Sequence, residues 1–391
     1  MNNANLTIKR LSTFFIAAVL LGAIAVFSPI QPAYAGLPLL LILDNETGGA
    51  CEVEEIGKWN DKTKTCRLTT DIENESIRIG DDDITLNCSG HLLDGPGNEI
   101  GIRLIDRAGV TIRNCHVTDY DIGILLSGSD FNTLQGNNAF SNDDGIFLGN
   151  SDDNTLQGNT ANDNDENGIH LEESFSNKLS KNTANENGFG IQLDVESQRN
   201  TLNGNTANEN GIGIVLSGSS DDNTLNGNTA NGNEVGIFLF SSLMNTLSEN
   251  TANGNGDGII LFSSLMNTLN GNTANGNDED GISLSGSDDN TLNGNTANGN
   301  DDRGISLSNS DDNTLNGNTA FKNLGTGFFL SSSSDGNTLE DNDAKNNDGF
   351  GFKDLSSGGG TEGTANTYTD NKCVANGDGG SDPTGLCSPQ E

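Results

Sequence analysis

The sequence predicts an all-β chain wound into a parallel β-helix, a solenoid whose successive coils share one core. Three observations lead there. A unit of 22 to 24 residues recurs along most of the chain. Each unit holds two short alternations of apolar residues parted by Asn, Gly, Asp and Ser, and period two is the signature of strand. No unit carries enough apolar side chains to bury a core alone, so neighbouring units must stack.

The repeat is phased by the Leu of Asn-Thr-Leu, which falls at Leu134, Leu156, Leu179, Leu202, Leu225, Leu247, Leu269, Leu292, Leu315 and Leu339. Weaker copies extend it to Leu86 and Ile112 upstream. Downstream, beyond a Gly-rich insertion at residues 356–363, Tyr368 is a further copy, for about thirteen coils. Within a unit, Gly213-Ile214-Val215-Leu216 and then Asn223-Thr224-Leu225 place Ile214, Leu216 and Leu225 inward and Val215 outward. A helix would need apolar residues three and four apart over a longer stretch, so none is expected after the N-terminal segment. A leucine-rich repeat shares the unit length, but it requires a further Leu two residues before the marker, where Asn200, Asn223 and Asn290 stand. Asn137, Asn159, Asn182 and their successors to Asn318 recur at one bend. There their amides can bond from coil to coil. Cys115 occupies the same phase.

Residues 1–35 read as a secretory signal peptide: Lys9 and Arg10, an apolar run from Phe14 to Phe27, and Ala33-Tyr34-Ala35 before Gly36. Residues 36–80, with Trp59, form an N-terminal cap, 81–372 the β-helix, and 373–391 a C-terminal cap, because an open solenoid end exposes unpaired backbone. The six cysteines lie after the signal, and local proximity pairs Cys51 with Cys66, Cys88 with Cys115, and Cys373 with Cys387, as an exported chain allows. No later segment is long enough to span a bilayer. The product is therefore expected to be secreted or periplasmic, with no membrane partner once the signal is cleaved. With 56 acidic against 18 basic residues and a net charge of -38, nucleic acid is excluded as a partner by like-charge repulsion.

Ile84-Thr85-Leu86-Asn87-Cys88-Ser89-Gly90-His91, Gly109-Val110-Thr111-Ile112-Arg113-Asn114-Cys115 and the serial Gly-Ile-x-Leu and Asn-Thr-Leu-x-Gly-Asn-Thr-Ala stretches resemble the exported right-handed parallel β-helix repeat proteins. Their nearest likeness is the NosD-like branch of the pectate-lyase-like superfamily, over about residues 80–372. The resemblance implies the right-handed fold. For function it leaves open polysaccharide lyases, epimerases, glycosidases, copper-maturation factors and noncatalytic surface proteins. The Asp-Pro-His-Asp stretch of the alginate epimerases and the Gly-His-Gly and Arg-Ile-Lys motifs of polygalacturonase-like enzymes are absent. Three His, with two Met outside the signal, are a poor supply of copper ligands.

Outward residues of the Gly-Ile-x-Leu strand should form a ladder: Arg103, Leu125, Phe147, His170, Gln192, Val215, Phe238, Ile260, Ser283, Ser306, Phe329 and Gly351, several of them apolar yet solvent-facing. Two units depart from the consensus, with Leu243-Met244 and Leu265-Met266 for the usual Asp-Asp, and Phe240 and Phe262 where neighbours have Ser. With Phe238 and Ile260 they predict an apolar patch on an acidic rod, a binding surface or an extra packing layer. His170 and Glu172 on one coil, with Gln192 and Asp194 on the next, form the best acid and base group, against the plainer reading of a solvated surface His. Asp288, Asp289, Asp311 and Asp312 stack at one turn and could take calcium, or simply solvate an edge. The reading overall is a noncatalytic binding protein with polysaccharide or another cell-surface molecule as partner and no cofactor beyond a possible calcium. The alternatives are a carbohydrate-active enzyme or a NosD-like accessory protein for copper-enzyme maturation.

Overall fold

The computed structural model describes residues 39–389, so the signal-peptide reading of residues 1–35 lies outside the described residues. The described chain is a right-handed parallel β-helix. One sheet of 15 parallel strands, the long sheet, runs its whole length. A second 15-stranded sheet carries the Asn-Thr-Leu strands. The third face is a five-stranded sheet followed by single Thr-to-Thr bridges from Thr160 to Thr319 and then a three-stranded sheet. The marker residues pair in register along the second sheet, Leu202 with Leu225 and Leu225 with Leu247.

Each coil turns at four corners, and the coil from Thr201 to Asn223 shows how. Gly204, Glu209, Ser219 and Asp222 adopt left-handed backbone, with φ of 63°, 57°, 65° and 56°. Each is followed by an inward polar residue: Asn205, Asn210, Ser220 and Asn223, all buried. Besides the expected asparagine ladder through Asn205, two more run through Asn210 and Asn223, and a serine ladder runs through Ser220. Asn205 shows the bonding. Its Nδ2 donates to Leu179 O of the preceding coil at 2.9 Å and to Asn228 Oδ1 of the following coil at 3.0 Å, while its N–H donates to the same Oδ1 at 2.9 Å. Corners of this kind pair the buried side-chain amide and the backbone groups left where a strand ladder is interrupted. Leu202, Ala207, Ile214 and Leu216 fill the space between corners with no solvent exposure. Gly213 is required at the entry to the long strand: a Cβ there would stand 2.6 Å from Gly236 O and 2.8 Å from Ala230 Cβ.

The N-terminal end departs from the expectation of no helix. Ala50–Val53 is a single α-helical turn, and Thr361–Gly363 in the Gly-rich insertion is a 3-10 turn. Among the described residues no earlier coil accepts its backbone, and this end of the stack closes on local structure: this helix and the antiparallel pair Gly57–Asn60 with Thr65–Leu68. Leu39–Ile42 and Ser76–Ile79 nevertheless pair in parallel as the first rungs of the long sheet, and Gly379–Asp382 forms its last. Cys51–Cys66, Cys88–Cys115 and Cys373–Cys387 are bonded. Asn137 Oδ1 accepts the Cys115 N–H at 3.1 Å, so Cys115 holds an asparagine-ladder position.

Candidate functional site: the outer face of the long sheet

The outward ladder follows the expected register except at its end, where Lys353, not Gly351, pairs with Phe329. Most of its apolar members are not solvent-facing, although Ile260 and Phe329 are only partly buried. Leu125, Phe147, Val215 and Phe238 are 8%, 7%, 0% and 5% exposed. Strands about 4.8 Å apart let large side chains cover one another along the ladder. A flanking column that sequence reasoning missed, including the buried Ile212 and Val235, adds further apolar side chains to this face.

At the His170 coils that column turns polar. Asp144 pairs with Asn167 in register, and Asn167 Nδ2 donates to Asp144 Oδ1 at 2.7 Å. His170 and Glu172 pair with Gln192 and Asp194, so the four residues singled out from sequence do come together. His170 Nε2 lies 3.1 Å from Asp194 Oδ1, and Gln192 Nε2 donates to Asp194 Oδ2 at 2.8 Å. The Phe147 ring packs on the imidazole with centroids 4.8 Å apart. His170 is not the solvated surface residue of the plainer reading: it is 8% exposed. Burial works against the imidazolium, but the Asp194 hydrogen bond and the charges of Asp194, Asp144 and Glu172 outweigh it and raise the pKa above 6.5. Burial also raises the carboxyls of Asp144, Glu172 and Glu166. An imidazole pinned by one carboxylate among others that are reluctant to ionise can hold or move a proton near neutral pH.

Further along, Phe240 and Phe262 pair in register, their half-buried rings stacked at 5.7 Å and 24°. Phe238 lies 6.2 Å from Phe240, beneath the surface. Leu243, Met244, Leu265 and Met266 stand beyond the strands, at the bend, with Met244 47% and Met266 53% exposed. The patch read from sequence therefore falls on two elements, a sheet face and a corner.

A second acidic group was not singled out. Asp257 Oδ1 accepts the Asp280 N–H at 3.3 Å, Asp280 Oδ1 accepts the Arg303 N–H at 3.0 Å, and Ser306 Oγ donates to Asp280 Oδ2 at 2.5 Å. The Arg303 guanidinium sits 4.0 Å from the Phe329 centroid. Burial, then the neighbouring Asp280, pushes Asp257 up to about 7; burial pushes Asp280 to about 6 although Arg303 opposes it. Aligning the units on Gly-Ile would have exposed this group, because Asp257 stands where the preceding coil has Val235.

Asp288 and Asp311 each accept a backbone N–H from the next coil at 2.8 Å, and Asp289 and Asp312 take left-handed corners. Among the described residues no group of three or more His, Cys, Asp or Glu converges as a metal site would.

Among the described residues the fold is a right-handed parallel β-helix whose long sheet carries the side-chain groups above on its outer face. The profile of the family described as periplasmic copper-binding protein (NosD) matches residues 85–229 and 219–368, and the chain belongs to that family. No curated protein matches the sequence significantly. Among solved structures, the Dettilon tailspike protein is similar with a TM-score of 0.53 at 17% identity, over 68% of this chain and 60% of its own. Bacteriophage CBA120 tailspike protein 3 gives 0.54 at 14%, over 84% and 56%. DFA-IIIase from Arthrobacter chlorophenolicus A6 gives 0.51 at 11%, over 66% and 83%. The chain thus spans under two thirds of either tailspike, and at these identities the likeness is one of fold.

The family description implies copper, which proteins hold with imidazole, thioether and thiolate donors. Here no described cysteine is free. His91 Nδ1 is engaged by Asp71 at 2.9 Å and His170 by Asp194. Met244 and Met266 lie at a corner with no His in either coil. His116 is exposed on the coil after His91, its backbone N–H donating to His91 O at 3.2 Å, and among the described residues no third His, Cys, Asp or Glu converges with the two; the donors present do not fit a copper site.

Proposed function

We propose that this is an exported, noncatalytic binding protein whose long sheet engages an extended polysaccharide along its outer face. The supporting observation is the Phe240–Phe262 pair: two half-exposed rings stacked in register on adjacent coils. Aromatic faces suit the apolar C–H faces of sugar rings, and the polar groups around His170 on one side and Asp280 on the other supply hydrogen bonds. A solenoid repeats such positions at a fixed spacing, which fits a polymer better than a small molecule. The family's periplasmic description and the three disulfides support export.

A glycan array followed by titration of the best ligand tests this. Phe240→Ser with Phe262→Ser should abolish binding while leaving the melting temperature within a few degrees. Full binding by the double variant rejects the platform, and the absence of any glycan ligand rejects the reading.

The His170–Asp194 contact supports a second reading, a carbohydrate-active enzyme using His170, Glu172 and Asp194. Shortened or unsaturated products from uronate polymers, lost in His170→Ala, would establish it in place of the first.

A further inference from the structure

The corner occupied by Leu243-Met244 and Leu265-Met266 is one where the chain forgoes stability. In four equivalent corners Asp152, Asp221, Asp288 and Asp311 each accept a backbone N–H from the following coil, at 2.7, 2.6, 2.8 and 2.8 Å, while two others carry Phe175 and Gln198 at that place. Leu243 and Leu265 have no carboxylate to do so. Met244 and Met266 adopt φ of 56° and 57°, the left-handed conformation that Asp222, Asp289 and Asp312 take in neighbouring coils. An unbranched apolar side chain tolerates it less well than Asp or Asn. Asn245 beside them is fully buried with its Nδ2 unpartnered. Both methionines are about half exposed, so neither is there to fill the core.

Charge indicates what covers this strip. Along the same corner it is bracketed by Asp221-Asp222 on one side and by Asp288-Asp289 and Asp311-Asp312 on the other. A second copy turned about a two-fold axis through the strip would bring one Asp pair against the other. An anionic lipid surface would face a chain of net charge -38. A helix has a pitch of about 5.4 Å, close to the coil spacing of about 4.8 Å, so a helix lying along the rod sets one apolar residue per turn over each Leu-Met pair.

We propose that this corner docks a cationic amphipathic helix of a protein partner, its apolar face on Leu243, Met244, Leu265 and Met266 and its basic residues at the two flanking Asp pairs. This surface is independent of the polysaccharide platform.

The probe is a synthetic helix of about 14 residues, apolar along one face with lysines at both ends, titrated by fluorescence anisotropy against the full chain at low and moderate salt. Wild type should bind it, more weakly as salt rises, and the L243D/M244D/L265D/M266D variant should bind roughly tenfold or more weakly while melting no lower than wild type. Because four changes carry a risk to folding, the pair M244S/M266S is measured alongside and should weaken binding in the same direction. Equal binding by wild type and both variants overturns the proposal, as does equal binding of a peptide with glutamates in place of the lysines. A variant that melts well below wild type makes the strip a packing layer and overturns it too. Wild type sedimenting as a dimer that M244S/M266S dissolves, or floating with phosphatidylcholine vesicles, would assign the strip to a second copy or to lipid instead.

Discussion

His170 Nε2 and Asp194 Oδ1 stand 3.1 Å apart across two adjacent coils, a diagonal contact that exists only because the strands Asn167–Glu172 and Phe189–Asp194 pair without a register shift. It buries an imidazole that the sequence alone presents as a surface residue, and it surrounds that imidazole with carboxylates from the strand on either side.

The His170 titration should therefore report this contact. By NMR its pKa should lie above 6.5 in wild type. Asp194→Asn should lower it, because the Asp194 hydrogen bond and charge are the largest influences opposing burial. A value that Asp194→Asn leaves unmoved would show that the contact does not form in solution.

Stability should fall as pH rises from about 4 to about 8. Asp257 and Asp280 have folded-state pKa values pushed up to about 7 and about 6 from 3.8, so over that window the folded chain binds more protons than the unfolded one. His170 acts in the same direction: its raised pKa favours the fold at low pH and loses that contribution as pH passes the folded value. Melting temperatures across this range should decline for wild type and decline less for Asp257→Asn. A profile that Asp257→Asn leaves unchanged would argue against a strained carboxyl pair.

Asn228→Ala should be among the most damaging single changes. Asn228 is fully buried, donates to Leu202 O and Asn250 Oδ1 at 2.9 Å, and accepts from Asn205 N and Nδ2. Its loss leaves several buried groups unpaired, for roughly 3–5 kcal/mol, measurable by urea denaturation. Thr224→Ala on the exposed surface of the same coil should change stability by less than about 0.5 kcal/mol.

The insertion before the last coil should depend on Asp354. This buried carboxylate accepts from Tyr368 Oη at 2.9 Å, Asn366 Nδ2 at 2.9 Å, Ser356 N at 2.9 Å and Ser356 Oγ at 2.6 Å. Burial, with Asp354 beside it, raises the Tyr368 hydroxyl well above its usual range, so it remains the donor. Asp354→Ala should lower stability by roughly 2–3 kcal/mol and speed amide exchange in residues 354–374 before the central coils.

The repeat marker, the inward Ile, Leu and Ala, and the three cysteine pairs were legible because each follows from a local rule: strand period, unit length, or proximity along the chain. The Asn205 ladder was legible for the same reason. The ladders through Asn210, Ser220 and Asn223 follow from no such local rule. Their residues are polar turn formers whose inward direction depends on the left-handed residue before each of them.

What the sequence determined by itself is the solenoid, since a 22 to 24 residue unit with so few apolar residues has no other way to keep them dry. Only the tertiary structure decided which outward residues face water. Phe238 and Val215 are buried and Phe240 is not, because cover comes from coils one repeat away and from the flanking column of Ile212 and Val235. The Asp257–Asp280–Arg303 group belongs to the same level: its members are 23 residues apart, and stacking at one coil spacing is what brings their charges together.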